Sequence, residues 1–220
     1  MKASIVSIVR KSVLALPLLG LLAVATSGNA AVISFSSRAA FDAAFPGAFR
    51  ETWDTYADGT VIPNGSSLNG ITYTSSTGNA VVTNDFLPST SPNGLGRTTI
   101  NFFTASDSIT FTFGSSLGSS LRAFGIDINT FATNNGAYSA TTNLGDVVGS
   151  FFDPFPSRAT GQFVGFHSDT YFSSVTIAAA ATNETYTLDT LRAVPEPATA
   201  ALLALGLLGL GGFARRSITA

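Results

Sequence analysis

Apolar side chains in the middle of this chain fall on every second residue, and that spacing leaves few folds open. Ile109, Phe111 and Phe113 alternate with Thr110 and Thr112, and Phe124, Ile126 and Ile128 alternate with Gly125 and Asp127. Val175 and Ile177 flank Thr176, and Tyr186 and Leu188 flank Thr187. Successive side chains of a strand point to opposite faces, so each series places its apolar members inward and its Thr or Asp members outward. Turn-forming runs separate the series, at Pro63-Asn64-Gly65, Thr77-Gly78-Asn79, Pro92-Asn93-Gly94 and Asn134-Asn135-Gly136. Short strands at regular spacing, with no strand–helix alternation to build a parallel sheet, predict an all-β fold, an antiparallel β-sandwich or jelly roll. One short helix is expected before it. Ser36 and Ser37 precede Arg38 to Ala44, Phe41 and Phe45 fall four apart, and Pro46-Gly47 ends the run.

This middle, residues 31–192, contains no lysine, and its six arginines face twelve carboxylates, leaving it at about −6. Such a surface repels phosphate backbones, which argues against nucleic acid as a partner. The chain has no cysteine. Disulfides, thiol catalysis and cysteine-based zinc sites are therefore excluded, and the domain must hold together by its core. About 160 residues suffice for that.

The two ends have a different character. Lys2, Arg10 and Lys11 precede an apolar run from Val13 to Ala25, and small or polar residues then lead to Ala30. A basic start, a short apolar centre and a Gly-x-Ala exit describe a secretory signal peptide over residues 1–30, cut between Ala30 and Ala31 after passage through the Sec translocon. The run would rise only about 20 Å as a helix, too short for a hydrocarbon core of about 30 Å. At the other end, residues 193–220, Val194, Pro195, Glu196 and Pro197 lead into an uncharged Leu-, Ala- and Gly-rich stretch from Ala198 to Ala214, closed by Arg215 and Arg216. As a helix it rises about 25 Å, the lower limit for a transmembrane span. The prolines predict a stiff, exposed, extended stalk before it, and the arginine pair holds the far end on the cytoplasmic side.

Val194-Pro195-Glu196-Pro197, the apolar run and Arg215-Arg216 together resemble the PEP-CTERM sorting signal, over residues 194–216. The resemblance implies recognition by exosortase, a membrane protease-transpeptidase, with removal of the helix and release or transfer of the domain to the surface or extracellular matrix. The chain departs from the family pattern in its short tail, Ser217 to Ala220, where more basic residues are common. More loosely, Phe35-Ser36-Ser37-Arg38-Ala39-Ala40-Phe41, Ala123-Phe124-Gly125-Ile126-Asp127, Phe163-Val164-Gly165-Phe166 and Leu188-Asp189-Thr190-Leu191 resemble pieces of β-sandwich domains that ride on such tails.

Residues able to do chemistry are few. His167 is the only histidine and lies beside Ser168 and Asp169. Neighbours on a strand face opposite ways, so these three form no relay, and a place in a turn or at a strand end is expected for the histidine. No Gly-rich phosphate loop is present. If Phe49 to Trp53 is one strand, Glu51 shares an apolar face and needs a partner. Asp127, two before Asn129, and Asp189 could join Glu51 around a structural calcium, the one cofactor considered; otherwise these acids cap turns. Asn64-Gly65-Ser66 and Asn183-Glu184-Thr185 are potential glycan acceptors.

Three functional expectations follow. The first is a non-enzymatic structural or adhesive module, exported through an inner-membrane intermediate to the cell surface or matrix of a Gram-negative bacterium, in contact with biofilm exopolysaccharide. The second is a carbohydrate-binding module with Trp53, Tyr56, Tyr73 or Tyr138 as stacking platforms, which requires those rings to be exposed. The third is a glycan hydrolase, requiring two carboxylates of divergent pKa across a cleft.

Overall fold

The computed structural model describes residues 31–35, 37–86, 88–131, 138–148, 161–179 and 184–196. The expected signal peptide, the Asn134-Asn135-Gly136 turn, Asn183 and the apolar run 198–214 lie outside them. Within the described residues the chain runs β1 (Val32–Phe35), α1 (Arg38–Ala44), β2 (Phe49–Glu51), β3 (Val61–Ile62), β4 (Ser66–Leu68), β5 (Ile71–Ser75), β6 (Ala80–Thr83) and β7 (Gly94–Arg97). It continues through β8 (Phe103–Thr104), β9 (Ser108–Phe113), β10 (Leu121–Thr130), β11 (Tyr138–Thr142), β12 (Val147–Val148), β13 (Gln162–Phe172), β14 (Ser174–Ala179) and β15 (Thr185–Pro195).

Two antiparallel sheets result. The larger, of nine strands, runs β1-β13-β10-β15-β7-β6-β3, with β2 and β8 also paired to β15. The smaller, of six strands, runs β12-β11-β14-β9-β5-β4. The period-two series take their expected places: Ile109, Phe111 and Phe113 of β9, and Val175 and Ile177 of β14, face Phe124, Ile126 and Ile128 of β10 and Tyr186 and Leu188 of β15 in one apolar core. Phe124 sits at its centre, with ring centroids 6.2 Å from Phe111 and Phe113 and 6.0 Å from Phe166. Burial of these rings is the main force joining the sheets.

α1 forms where the sequence places it. The Ser37 hydroxyl accepts from the Ala40 amide at 3.2 Å and caps the first turn. Its one fully buried side chain, Phe41, lies on the outer face of the larger sheet among Phe35, Phe45, Ala123, Phe163 and Val194. Gly125 and Gly165 face each other across β10 and β13, and the Phe163 ring covers both, so close that a Cβ on either would strike it. That cover corrects one expectation. On β10 and β15 the outward side chains Asp127, Asn129, Thr187 and Asp189 do not meet water; Arg38 of α1 and Ser89 engage Asp127, Ser89 and Thr90 engage Asp189, and the Gly161 amide reaches Asn129.

A second correction concerns the end of the domain, expected at residue 192. β15 continues through Pro195, with Val194 opposite Ala123 and Pro195 opposite Leu121. Pro195 is half-buried in the sheet and does not start an exposed stalk. A proline is tolerated there because the strand ends at it.

Phe124→Ala should lower the free energy of unfolding by about 3–5 kcal/mol, since it leaves a ring-sized void between the sheets. Urea denaturation followed by tryptophan fluorescence measures it, Trp53 being the single tryptophan.

Candidate functional site

The outer face of the larger sheet carries a buried polar cluster. Asp127 on β10 stands opposite Asp189 on β15. The Ser89 hydroxyl bonds to both carboxylates, at 2.7 and 2.9 Å. Asp189 also accepts from the Thr90 amide at 2.6 Å, the Thr90 hydroxyl at 2.9 Å and the Thr190 amide at 2.6 Å. Arg38, in the first turn of α1, holds Asp127 through Nε at 3.1 Å and through Nη2. Arg192 reaches Asp42 of the same helix with Nε and Nη2, and its Nη1 donates to the Thr190 carbonyl at 3.0 Å. Arg50 stands 3.6 Å from Asp42. These arginines and aspartates cancel in charge, which is what allows them under the helix.

A bulge makes the arrangement possible. Gly125 faces Arg192 and Asp127 faces Asp189, so Ile126 alone is opposed by both Thr190 and Leu191. Thr190 absorbs the extra residue with φ +39°. Burial pushes the Asp189 carboxyl above the usual range, opposed by the bonds from Thr90, Ser89 and Thr190. Burial lowers the Arg192 guanidinium, and Asp42 opposes that.

Glu51 lies elsewhere. It ends β2 opposite Leu191, a core residue. Its Oε1 accepts from the Trp53 amide at 2.9 Å and its Oε2 from Asn69 Nδ2 at 2.7 Å. The strand stops there, and Trp53 turns away with φ +59°. Glu51 is thus buried and partnered, but by protein donors. The carboxylates considered for calcium do not converge: Asp127 and Asp189 meet, and Glu51 joins neither. Among the described residues no three His, Asp or Glu side chains are placed to hold a metal ion.

The expected stacking platforms are corrected as well. Trp53, Tyr73 and Tyr138 are buried in the core, because they occupy inward positions beside apolar neighbours. Trp53 Nε1 donates to the Tyr73 hydroxyl at 3.1 Å, and the Tyr73 ring stands edge-on to Phe111 at 5.6 Å. Tyr56 is half-buried, its hydroxyl bonded by Asn69. His167 sits within β13, opposite Ala123 and Ile33, not in a turn or at a strand end. Its ring stacks on Phe45 with centroids 5.7 Å apart. Ser168 is buried and Asp169 exposed, so Ser168 faces away from its neighbours. The Asn64 side chain accepts from the Ser75 amide and donates to its carbonyl.

Sequence reasoning missed Glu184. It precedes the inward series Tyr186 and Leu188 by the same step of two, which was the available signal. Its Oε2 accepts from the Tyr138 hydroxyl at 3.1 Å, and its Oε1 is buried without a hydrogen-bond partner. Burial raises its pKa, and the Tyr138 bond opposes the rise.

An acid whose folded pKa exceeds its unfolded value stabilises the fold at low pH and loses that contribution as pH climbs through the folded value. Glu184→Gln should therefore flatten the fall in stability from about pH 4 upward, measured by urea denaturation at a series of pH values.

The remaining functional residues begin inside β15. Val194 and Pro195 are held in the sheet, the Glu196 amide donates to the Ser120 carbonyl at 3.0 Å, and the Glu196 side chain is exposed. No curated protein matches this chain. Residues 193–216 match the family model of the PEP-CTERM protein-sorting motif. The chain therefore carries a PEP-CTERM sorting motif behind a β-rich passenger, the mark of an exported protein processed by the membrane enzyme exosortase.

Proposed function

We propose that the passenger is a non-enzymatic surface or extracellular-matrix module, delivered by its tail and in contact with neutral exopolysaccharide. The observation that carries this reading is the outer face of the smaller sheet. Thr74, Thr110, Thr176 and Thr141 stand opposite one another across β5, β9, β14 and β11. Thr72, Thr112 and Ser174 form the next row. Strands lie about 4.8 Å apart, so hydroxyl-bearing residues recur at about that backbone spacing along each row. The Thr110 and Thr176 hydroxyls are 2.7 Å apart and bond each other. Such a face offers donors and acceptors without charge, which suits a hydrated, neutral, hydroxyl-rich polymer.

The carbohydrate-binding alternative keeps this face and loses the aromatic platforms. Without stacking, contact relies on hydrogen bonds that exchange with water at little net gain. Weak, multivalent adhesion fits that better than a tight single-sugar site. Export is proposed to run through the Sec translocon with a cut between Ala30 and Ala31. An inner-membrane intermediate follows, held by residues 198–214, with Arg215 and Arg216 on the cytoplasmic side, and then the surface or matrix of a Gram-negative cell.

The test is fractionation of an exosortase-bearing host that makes the full chain. The mature domain is expected in the surface or matrix fraction without residues 1–30 and without the apolar run. The same chain ending at Pro197 is expected to stay in the periplasm. Mature chain in the cytosol, or equal sorting of both forms, contradicts the reading.

A further inference from the structure

The sorting motif and the fold share residues. The match begins at residue 193, and β15 runs through Pro195. Leu191, Arg192 and Ala193 are paired on one edge with Glu51, Arg50 and Phe49 of β2. On the other edge Arg192, Ala193, Val194 and Pro195 face Gly125, Phe124, Ala123 and Leu121 of β10. Val194 packs with Phe41 and Phe163 under α1. Gly118, at φ +82°, brings its backbone beneath Pro195, where a Cβ would lie 3.2 Å from the Pro195 Cβ. The bond from the Glu196 amide to the Ser120 carbonyl closes the last step.

A protease reads its substrate as an extended segment whose backbone edges are free to pair with the enzyme. Through residue 193 both edges of β15 are taken, and through residue 196 one is. Drawing this segment into an active site means pulling out the strand between β10 and β2, with its buried arginine and apolar side chains. The cost approaches that of opening the sheet.

We infer that the fold sets the upstream limit of sorting: the scissile bond lies C-terminal to Glu196, and the mature domain keeps all of β15 together with at least the first two residues of the Pro-Glu-Pro sequence. In the cut, the peptide C–N bond breaks, the carbonyl carbon bonds to the oxygen of water or to the nitrogen of an acceptor amine, and the leaving amine takes the proton. The inference rests on exosortase processing, and it adds that the passenger must be folded for the limit to hold.

Two measurements on the full chain decide it. The first is the intact mass of the mature protein from the exosortase-bearing host; a last residue of Glu196 or later supports the limit, and one of Pro195 or earlier overturns it. The second needs no sorting enzyme: timed trypsin digestion of the detergent-solubilised chain. Cleavage after Arg215 or Arg216 should outpace cleavage after Arg192 by roughly a hundredfold or more, because Arg192 is reached only through opening of the sheet. Comparable rates overturn the inference. Gly118→Ala, which crowds Pro195, should speed cleavage after Arg192 while a thermal melt still shows a cooperative fold; unchanged protection in that variant counts against the role of the Pro195 contact. A host protein that keeps residues 197–220 while trypsin still spares Arg192 sinks the exosortase reading, and with it the limit on sorting, and leaves the protected strand standing.

Discussion

The structure depends on the pairing of β10 with β15. Each is buried on both faces, and each is flanked on both edges, β10 by β13 and β15, β15 by β10, β2, β7 and β8. The inward side chains Phe124, Ile126, Ile128, Tyr186 and Leu188 supply the core between the sheets. The outward side chains Asp127 and Arg192 hold α1 through Arg38 and Asp42. One strand pair thus does two jobs of opposite chemistry, and the bulge at Thr190 lets both be met, shifting the register so that Arg192 reaches the helix and Leu191 the core.

Placing charge on the covered side has a physical logic. α1 presents a single buried ring, Phe41, too little apolar area to hold seven residues in place. The pairs Arg38–Asp127 and Arg192–Asp42 fix its rotation and its register on the sheet. Buried ion pairs add little net stability against an apolar alternative, but a helix seated one turn away would strand these charges. The cluster is therefore better understood as specifying the position of α1 than as a binding site, since its carboxylates already have protein donors.

Much of this was legible in the order of residues. The period-two series located the inner faces of β9, β10, β14 and β15, and the serine cap with Phe41 and Phe45 located α1. What escaped was everything that depends on a third element covering a strand. Asp127 alternates with apolar residues as an exposed residue would, and only the arrival of Arg38 and Ser89 from distant segments buries it. The aromatics misled for a related reason. Trp53 and Tyr73 carry polar atoms that could as well meet water, and it is their mutual hydrogen bond that lets both sink into the core. Pro195 misled because prolines ahead of an apolar run read as an exposed stalk, whereas a proline is tolerated at the last paired position of a strand.

The position of β15 also orders events in time. Asn129 and Thr187, facing each other on the central pair, are 58 residues apart in sequence. β15 is the last described strand, so the larger sheet stays open, with β2, β7, β8 and β10 each lacking a neighbour, until residues 185–195 arrive. Long-range pairing of this kind is slow to form and leaves unpaired edges exposed meanwhile. The chain has no disulfide to hold a partial fold, so closure rests on burial of the core alone. Because the sorting motif begins within that closing strand, an unfolded passenger presents the motif with a free backbone upstream, and a folded one presents it cut off at Glu196. Folding and sorting are in this way coupled by a shared stretch of backbone, and the coupling needs no contact between the domain and the enzyme beyond the strand itself.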